Sequence, residues 1–507
     1  MKDISNTAVQ QDRNLPSRGR VLWLQRTFSF PTMLAGLLVV LTVLTVRSRF
    51  DDPDMWWHLK TGQIIWTTHT IPVTDVFSYT TNHHAFIPQE WLSQALIYAA
   101  YMWNGYSGLM LWLCILSSAL VLATYFLCSL YARNAKTAFI GAMTVWLFGT
   151  IAFAVRPQLV GYLLLIIELV LIHLGRTRNP RWFLWLPALF ALWINCHGSF
   201  FFGFLVVSLF LFSSFFSFKS GSLVSPAWAP HCRRMLLLAL ALSSVALLLN
   251  PDGLKQVLYP LNTILHQSIQ LKNVEEWRPT AMTEPRGIAL LAILLCSFLL
   301  VIVRKAELYF DELLLLMLGT WMAISHERML IVFGILSAPI LSRQLSALWE
   351  GYDAEKDRIW PNAALIGLSL LVVVLAFPNR KNLEGQVEEK SPVKAVQFIK
   401  SSHLSGPMLN DYGDGGYLIW ALPEHPVFID GRADIYEWSG VMGKFFRWET
   451  VGDNPNTLLD QYHVNFCLLH RWTPVVNALR LLPNWKQVYE GKRSVIFVRT
   501  SGAAPSK

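Results

Sequence analysis

The chain has 507 residues, of which 53% are hydrophobic and 15% charged, and its mean hydropathy is +0.39. Soluble domains carry about 25% charged residues, and no single core could hide this much apolar surface. An ordinary soluble enzyme, a disordered chain and a disulfide-rich scaffold are excluded, which leaves a polytopic membrane protein. Lys and Arg number 42 against 33 Asp and Glu, a net +9, but in a membrane protein their placement matters more than their sum. No nucleic-acid partner is expected. The six cysteines make no framework, since Cys114, Cys128 and Cys296 lie in apolar runs and Cys467 stands alone in the polar C-terminal part.

A spanning helix needs roughly 20 mostly apolar residues. The first candidate is 30–46, preceded by a polar segment, 1–29, with Lys2, Arg13, Arg18, Arg20 and Arg26. No small-residue cleavage site follows, so this reads as a retained signal anchor with residues 1–29 in the cytoplasm. Further runs at 106–131, 137–155, 159–175, 182–195, 199–218, 235–249, 287–303, 313–324, 329–342 and 361–377 bring the expectation to about 11 transmembrane helices.

The charges test this independently, because cytoplasmic loops hold the excess of Lys and Arg. The loops expected inside contain Arg133 and Lys136; Arg176, Arg178 and Arg181; Lys219, Arg233 and Arg234; Arg304 and Lys305; and Arg343, Lys356 and Arg358. The short turns expected outside hold Arg156 alone, no charge, and Arg328 alone; only Arg47 and Arg49 break the pattern. An odd number of spans places the tail outside. The expectation is a multi-pass inner (plasma) membrane protein of a cell envelope, N-terminus in and C-terminus out.

Polar residues without a solubility role then gather on the outer side. The first outer loop, 47–105, contains Asp51-Asp52-Pro53-Asp54-Met55-Trp56-Trp57-His58-Leu59, then His83-His84 and Glu90-Trp91. Later outer turns hold Arg156-Pro157-Gln158, Asn195-Cys196-His197-Gly198, Asn250-Pro251-Asp252-Gly253, Glu275-Glu276-Trp277-Arg278-Pro279 and His326-Glu327-Arg328. Ionisable groups at span ends are costly unless paired or facing a wet cavity, so they are site candidates. Plainer readings stand beside this. Trp56, Trp57 and Trp91 read first as interfacial aromatics, Asn250–Gly253 as a turn, His83-His84 as a solvated loop, and His197 as a satisfied helix end. Arg156 and Arg328 are lone cations in tight turns, and guanidinium suits phosphate or carboxylate. Asp52 and Asp54, just after the first span, read as soluble loop residues, as carboxylates made basic by desolvation, or as oxygen ligands for a hard cation such as Mg or Mn.

One span, an acidic motif directly after it and a long first loop resemble the GT-C superfamily of integral-membrane glycosyltransferases. These include protein O-mannosyltransferases, the lipid A aminoarabinose transferase and oligosaccharyltransferases. The plan of about eleven spans and a C-terminal extracytoplasmic domain is also similar, while the motif match covers Asp52–Leu59 and the loop to Leu92. The chain further resembles a group of uncharacterised bacterial membrane proteins sharing Asp-Pro-Asp-x-Trp-Trp-His-Leu, Asn-x-His-Gly, Glu-Trp-Arg-Pro and Asp-Gly-Arg patterns. The GT-C resemblance implies an inverting glycosyltransferase using a polyprenyl-phosphate-linked sugar donor. The acceptor would be a lipid, glycan or protein hydroxyl. A first-loop carboxylate would serve as base, or as metal ligand in oligosaccharyltransferases, with basic outer turns holding the phosphate. Carried over, Asp54 is the preferred base and Asp52 the second, with His58 beside them. Arg156, His197, Glu276, Arg278, His326, Arg328 and Glu90 become substrate-binding candidates. The tight acidic pair of many members is replaced here by Asp-x-Asp.

After the membrane part, 30–377, the segment 378–390 reads as a polar linker and 391–507 as a small α/β domain. That domain is expected to contain a helix at 391–404, strands at 407–410, 426–430 and 465–470, and a terminal hairpin at 485–490 and 494–499. Asn410–Tyr417 reads as a strand-end loop. Asp430-Gly431-Arg432 follows an expected strand, where open α/β sheets place ligand-binding residues; Asp430 and Arg432 are candidates to hold the acceptor, or a pair that stabilises the loop. Two rivals to the transferase remain. One is a transporter or flippase of lipid-linked sugars, opposed by the lack of an inverted repeat and the near absence of charge within spans apart from Glu168. The other is a non-catalytic GT-C scaffold.

Overall fold

A computed structural model of the chain describes residues 24–81, 84–266, 269 and 275–500. Most of the anchor's polar head, and His83, lie outside these residues. All eleven apolar runs are helical. Among the described residues seven helices are long and apolar enough to cross a membrane: Leu24–Val46, Trp91–Ala132, Ala135–Ala152, Gln158–Thr177, Pro285–Val303, Glu327–Leu348 and Ile359–Ala376. The remaining runs form shorter helices, Leu186–Cys196, Phe200–Ser213, Pro230–Ala246 and Phe310–Ser325.

In chain order, α1 is Phe30–Val46, α2 Met55–Thr68, α3 Trp91–Ala132, α4 Ala135–Ala152 and α5 Gln158–Thr177. Ser29 caps α1 by accepting from the Thr32 N–H, and Asn134 caps α4. Helix α3 breaks at Asn104–Gly105, where Gly105 takes φ +54°, a conformation glycine reaches at no steric cost. Its first part therefore lies in the outer loop and its second part, beginning near Tyr106, is the span. After Leu186–Cys196 (α6), Phe200–Ser213 (α7), Pro230–Ala246 (α8), Leu254–His266 (α9), Pro285–Val303 (α10) and Phe310–Ser325 (α11) comes α12, Leu330–Leu345. Helix α12 is apolar on all sides and nearly every residue is buried, which is the pattern of a helix surrounded by others. It packs on α3, α4 and α11, with Phe148 and Phe333 edge to face. Helix α13, Ile359–Ala376, lies beside α1 and is almost wholly exposed, as a helix facing lipid should be.

The segment expected as a linker is instead a helix, α14, Arg380–Lys390. Its charged residues are exposed. Leu383 and Val387 are buried, and the Gln386 amide donates to the Arg47 carbonyl while its oxygen accepts from the Phe50 N–H. The polar tail then folds around a four-stranded sheet, Met408–Asn410, Phe466–His470, Ser494–Arg499 and Trp485–Glu490 in spatial order. The first pair is parallel and the others antiparallel. Residues 426–430, expected as a strand, do not join the sheet. The Asn410 side chain takes up the Phe428 N–H and the Ile429 carbonyl. Val427 instead makes a bridge with Ser78 of the first outer loop. That bridge begins the seam between the C-terminal domain and the membrane part.

Candidate active site

Asp52 and Asp54 are presented by a local turn. The Asp52 carboxylate accepts from the Asp54 N–H at 2.8 Å across Pro53, an Asx turn that aims both side chains the same way at the start of α2. Arg156 lies opposite, in the turn between α4 and α5. Its Nε is 2.6 Å from Asp52, its Nη2 is 3.0 Å from Asp54, and its Nη1 is 3.0 Å from Glu276. One guanidinium thus gathers three carboxylates from segments far apart in sequence. Burial pushes the Asp54 carboxyl up to about 7 even though the Arg156 charge opposes it. Asp52 is also raised by burial. At Glu276 burial is outweighed by Arg156 and Arg328, which hold its carboxyl below the usual range.

Arg328 is the less committed cation. Its Nη1 stands 3.7 Å from Glu276, its Nη2 donates to Gln158 at 3.3 Å, and its plane lies over the Trp277 ring at 4.4 Å. It borders a cavity of about 220 Å³ whose polar wall includes Gln158, Tyr162 and Glu276 and whose apolar wall is Phe148, Ile151 and Ala152. His326 turns its Nδ1 to the Trp277 carbonyl at 2.7 Å and so holds the 276–278 segment beneath Arg328. The Arg278 carbonyl accepts from the Glu327 N–H, but the Arg278 side chain is exposed and stands apart from the cluster.

A second cluster adjoins the first. Glu90 lies 3.6 Å from His58 Nδ1 and 3.3 Å from His197 Nε2, and Gln94 Nε2 is 3.1 Å from His58 Nδ1. Burial raises Glu90 to about 8, lowers His197 to about 3 and holds His58 well below its ordinary range. Burial thus disfavours the charged form of Glu90, His58 and His197 alike. Trp56 is not a lipid-facing aromatic as its type suggested: it is buried, packed on Tyr106 and Tyr417. Trp91 is likewise drawn inward, donating to Asn195 Oδ1 at 2.7 Å.

Asp430 and Arg432 form a third group, closed to solvent. Arg432 Nη1 meets Asp75 of the first outer loop at 2.6 Å, and its Nε and Nη2 clasp Asp430 at 2.8 and 2.6 Å. Both ion pairs are fully buried. Tyr436 completes the network by donating to Asp430. The geometry is that of a clamp fixing the C-terminal domain onto the first loop, which is the loop-stabilising alternative of the sequence reading. Sequence reasoning missed what the clamp positions. Gly431 sits against the Asp54 carboxylate and Gly416 against the Pro53 carbonyl, each at a distance a side chain would fill. Asp75 was not singled out either; its partner is 357 residues away.

The cation ligands considered at Asp52 and Asp54 are already matched by Arg156, whose charge occupies the space between them. Among the described residues no group of three or more His, Cys, Asp or Glu is placed to hold a metal ion. With Arg156 lodged between the carboxylates, a metal does not fit this donor set.

No family model matches the sequence, and no curated protein matches it. Solved structures do. The chain is similar to the Archaeoglobus fulgidus oligosaccharyltransferase tethered with an acceptor peptide, with a TM-score of 0.54 at 13% identity, covering 88% of this chain and 70% of that one. The Archaeoglobus fulgidus oligosaccharyltransferase AglB in complex with an inhibitory peptide and a dolichol-phosphate gives 0.50 at 11%, covering 85% and 69%. ArnT from Cupriavidus metallidurans in the apo state gives 0.51 at 12%, covering 97% of this chain and 100% of that one. This membrane protein, with its spanning helices and small sheet domain, shares the fold of these solved structures.

Proposed function

We propose that the protein is a membrane glycosyltransferase that moves a sugar from a polyprenyl-phosphate donor to an acceptor hydroxyl. The reaction would take place at the extracytoplasmic face of the inner membrane. The observation that carries this reading is the chain of charges from Asp54, raised to about 7 by burial, through Arg156 and Glu276 to Arg328, which borders a cavity that has one apolar and one polar wall. The neighbours' complexes support the substrate class, since one of them holds a dolichol-phosphate.

In this reading the prenyl chain lies along Phe148, Ile151 and Ala152, and its phosphate meets Arg328. Asp54 takes the proton from the acceptor hydroxyl as oxygen attacks the sugar C1 from the face opposite the phosphate. The C1–O bond to phosphate breaks, its electron pair leaves with the polyprenyl phosphate, and the anomeric centre inverts. A carboxylate with a pKa near the working pH is an effective general base. A guanidinium held beside the leaving group stabilises the charge that develops there. Arg156, expected as a second phosphate ligand, acts differently here: with three carboxylates on it, it orients Asp54 and Asp52. Asp430 and Arg432 hold the C-terminal domain, and so the acceptor side, in place.

The test is release of polyprenyl phosphate from a panel of polyprenyl-phosphate sugars by purified protein with membrane extract as acceptor source. Wild type should release it and Asp54→Asn should not, while both bind undecaprenyl phosphate. Equal release by the variant sinks the base assignment. Binding of undecaprenyl phosphate without turnover of any donor by wild type would favour the non-catalytic scaffold.

A further inference from the structure

The membrane face opposite the carboxylates carries a second, larger polar cavity, of about 580 Å³. It opens where α3, α5 and α12 end and α11 begins. Gln158 and Arg176 mark the two ends of α5, roughly 27 Å apart at the helical rise, so this cavity is separated from the proposed active site by the thickness of the bundle.

Four guanidinium groups line it, Arg133, Arg176, Arg178 and Arg343, against two carboxylates, Asp311 and Glu312. Arg176 is taken up by Asp311 at 2.7 Å, and Arg343 by Glu312 through its Nε at 2.8 Å. Both are further fixed over aromatic rings, Arg176 on Trp228 at 4.9 Å and Arg343 on Tyr309 at 4.3 Å. Arg133 and Arg178 have no acidic partner within 4.0 Å among the described residues, and both are exposed. Two positive charges are therefore left over at the mouth of a cavity whose inner cations are held rigidly. Leu130, Ile172 and Phe210 line the rest of the wall.

A basic pocket between membrane helices with apolar flanks has the chemistry of a phosphate-headgroup site. Guanidinium forks match phosphate oxygens, and the paired inner arginines supply orientation without further cost in side-chain order. We propose that this cavity binds a phosphate ester, presented by an anionic phospholipid of the adjoining leaflet or by a soluble phosphate compound. The site is independent of the transferase reading.

The test uses full-length, delipidated protein, with native mass spectrometry and thermal unfolding as readouts. Three probes are compared: phosphatidylglycerol, phosphatidylcholine and inorganic phosphate. Arg133→Gln with Arg178→Gln removes the unpaired charges, and Arg304→Gln with Lys305→Gln removes two cations outside the cavity. Phosphatidylglycerol retention by wild type, reduced about tenfold or more in the first double variant and unchanged in the second, supports a lipid site. Protection by inorganic phosphate, lost in the first variant, supports a soluble ester instead. Equal retention of phosphatidylglycerol and phosphatidylcholine without a phosphate effect, or equal losses in both double variants, would overturn the proposal.

Discussion

Gly431 lies against Asp54 so closely that any side chain at 431 would occupy the space of the Asp54 carboxylate oxygen. A residue of the C-terminal domain thereby forms part of the wall around the proposed base. The contact is fixed by Arg432, which reaches past Gly431 to Asp75. Domain docking and carboxylate geometry are consequently one structural event.

Gly431→Ala should leave the protein membrane-inserted but reduce transfer by roughly 100-fold, the scale expected when a reacting group is misplaced by about an ångström. Arg432→Lys, which loses the bidentate grip on Asp430, should produce the same loss together with faster proteolysis between the two parts. The check is donor turnover beside limited proteolysis. Full activity in Gly431→Ala would show that Asp54 does not depend on this contact.

Replacing the proposed base is the stronger test. Asp54→Asn preserves shape but not basicity, and should lower turnover by about 10²- to 10⁴-fold, the usual contribution of a positioned general base. Asp52→Asn should cost less, because Asp52 supports the turn and Arg156 rather than the hydroxyl. If the two variants lose activity in the reverse order, the roles are exchanged.

Arg328 and Arg156 should separate by what they change. Arg328→Ala should weaken undecaprenyl phosphate binding by about tenfold or more, as loss of a charged hydrogen bond does. Its effect on thermal stability should be small. Arg156→Ala leaves Asp52 and Asp54 without their cation in a largely buried site and should destabilise by about 3–5 kcal/mol, read as a lowered midpoint of unfolding. Equal effects on binding from both would contradict the division of labour.

The pH dependence follows from Asp54. The reactive form is the carboxylate, and burial holds its protonation near pH 7. The fraction ionised, and kcat/KM with it, should therefore fall tenfold for each pH unit below about 7. The same group acts oppositely on stability. Its folded value lies above the ordinary 3.8, so the folded chain binds more protons between about pH 4 and 7, and this contribution to stability falls as pH rises through that range. A rate that stays flat down to pH 5 would remove Asp54 from the base role.

Composition and hydropathy alone determined the membrane class, because a stretch of some 20 apolar residues has few other stable homes. The eleven apolar runs all proved helical, and Asp52, Asp54, Arg156, Glu276 and Arg328 were legible as candidates because ionisable groups at span ends are costly without partners. What only the tertiary structure decided is who those partners are. Sequence spacing cannot tell that Arg156 meets Glu276 across 120 residues, or that Arg432 meets Asp75 across 357. It could not show 426–430 leaving the sheet, since Asn410 supplies the hydrogen bonds a neighbouring strand would have made. Nor could it distinguish a guanidinium held by three carboxylates from one with a single, longer carboxylate contact: Arg156 and Arg328 look alike in sequence, and only the position of the surrounding charges, fixed by helix packing, makes them different.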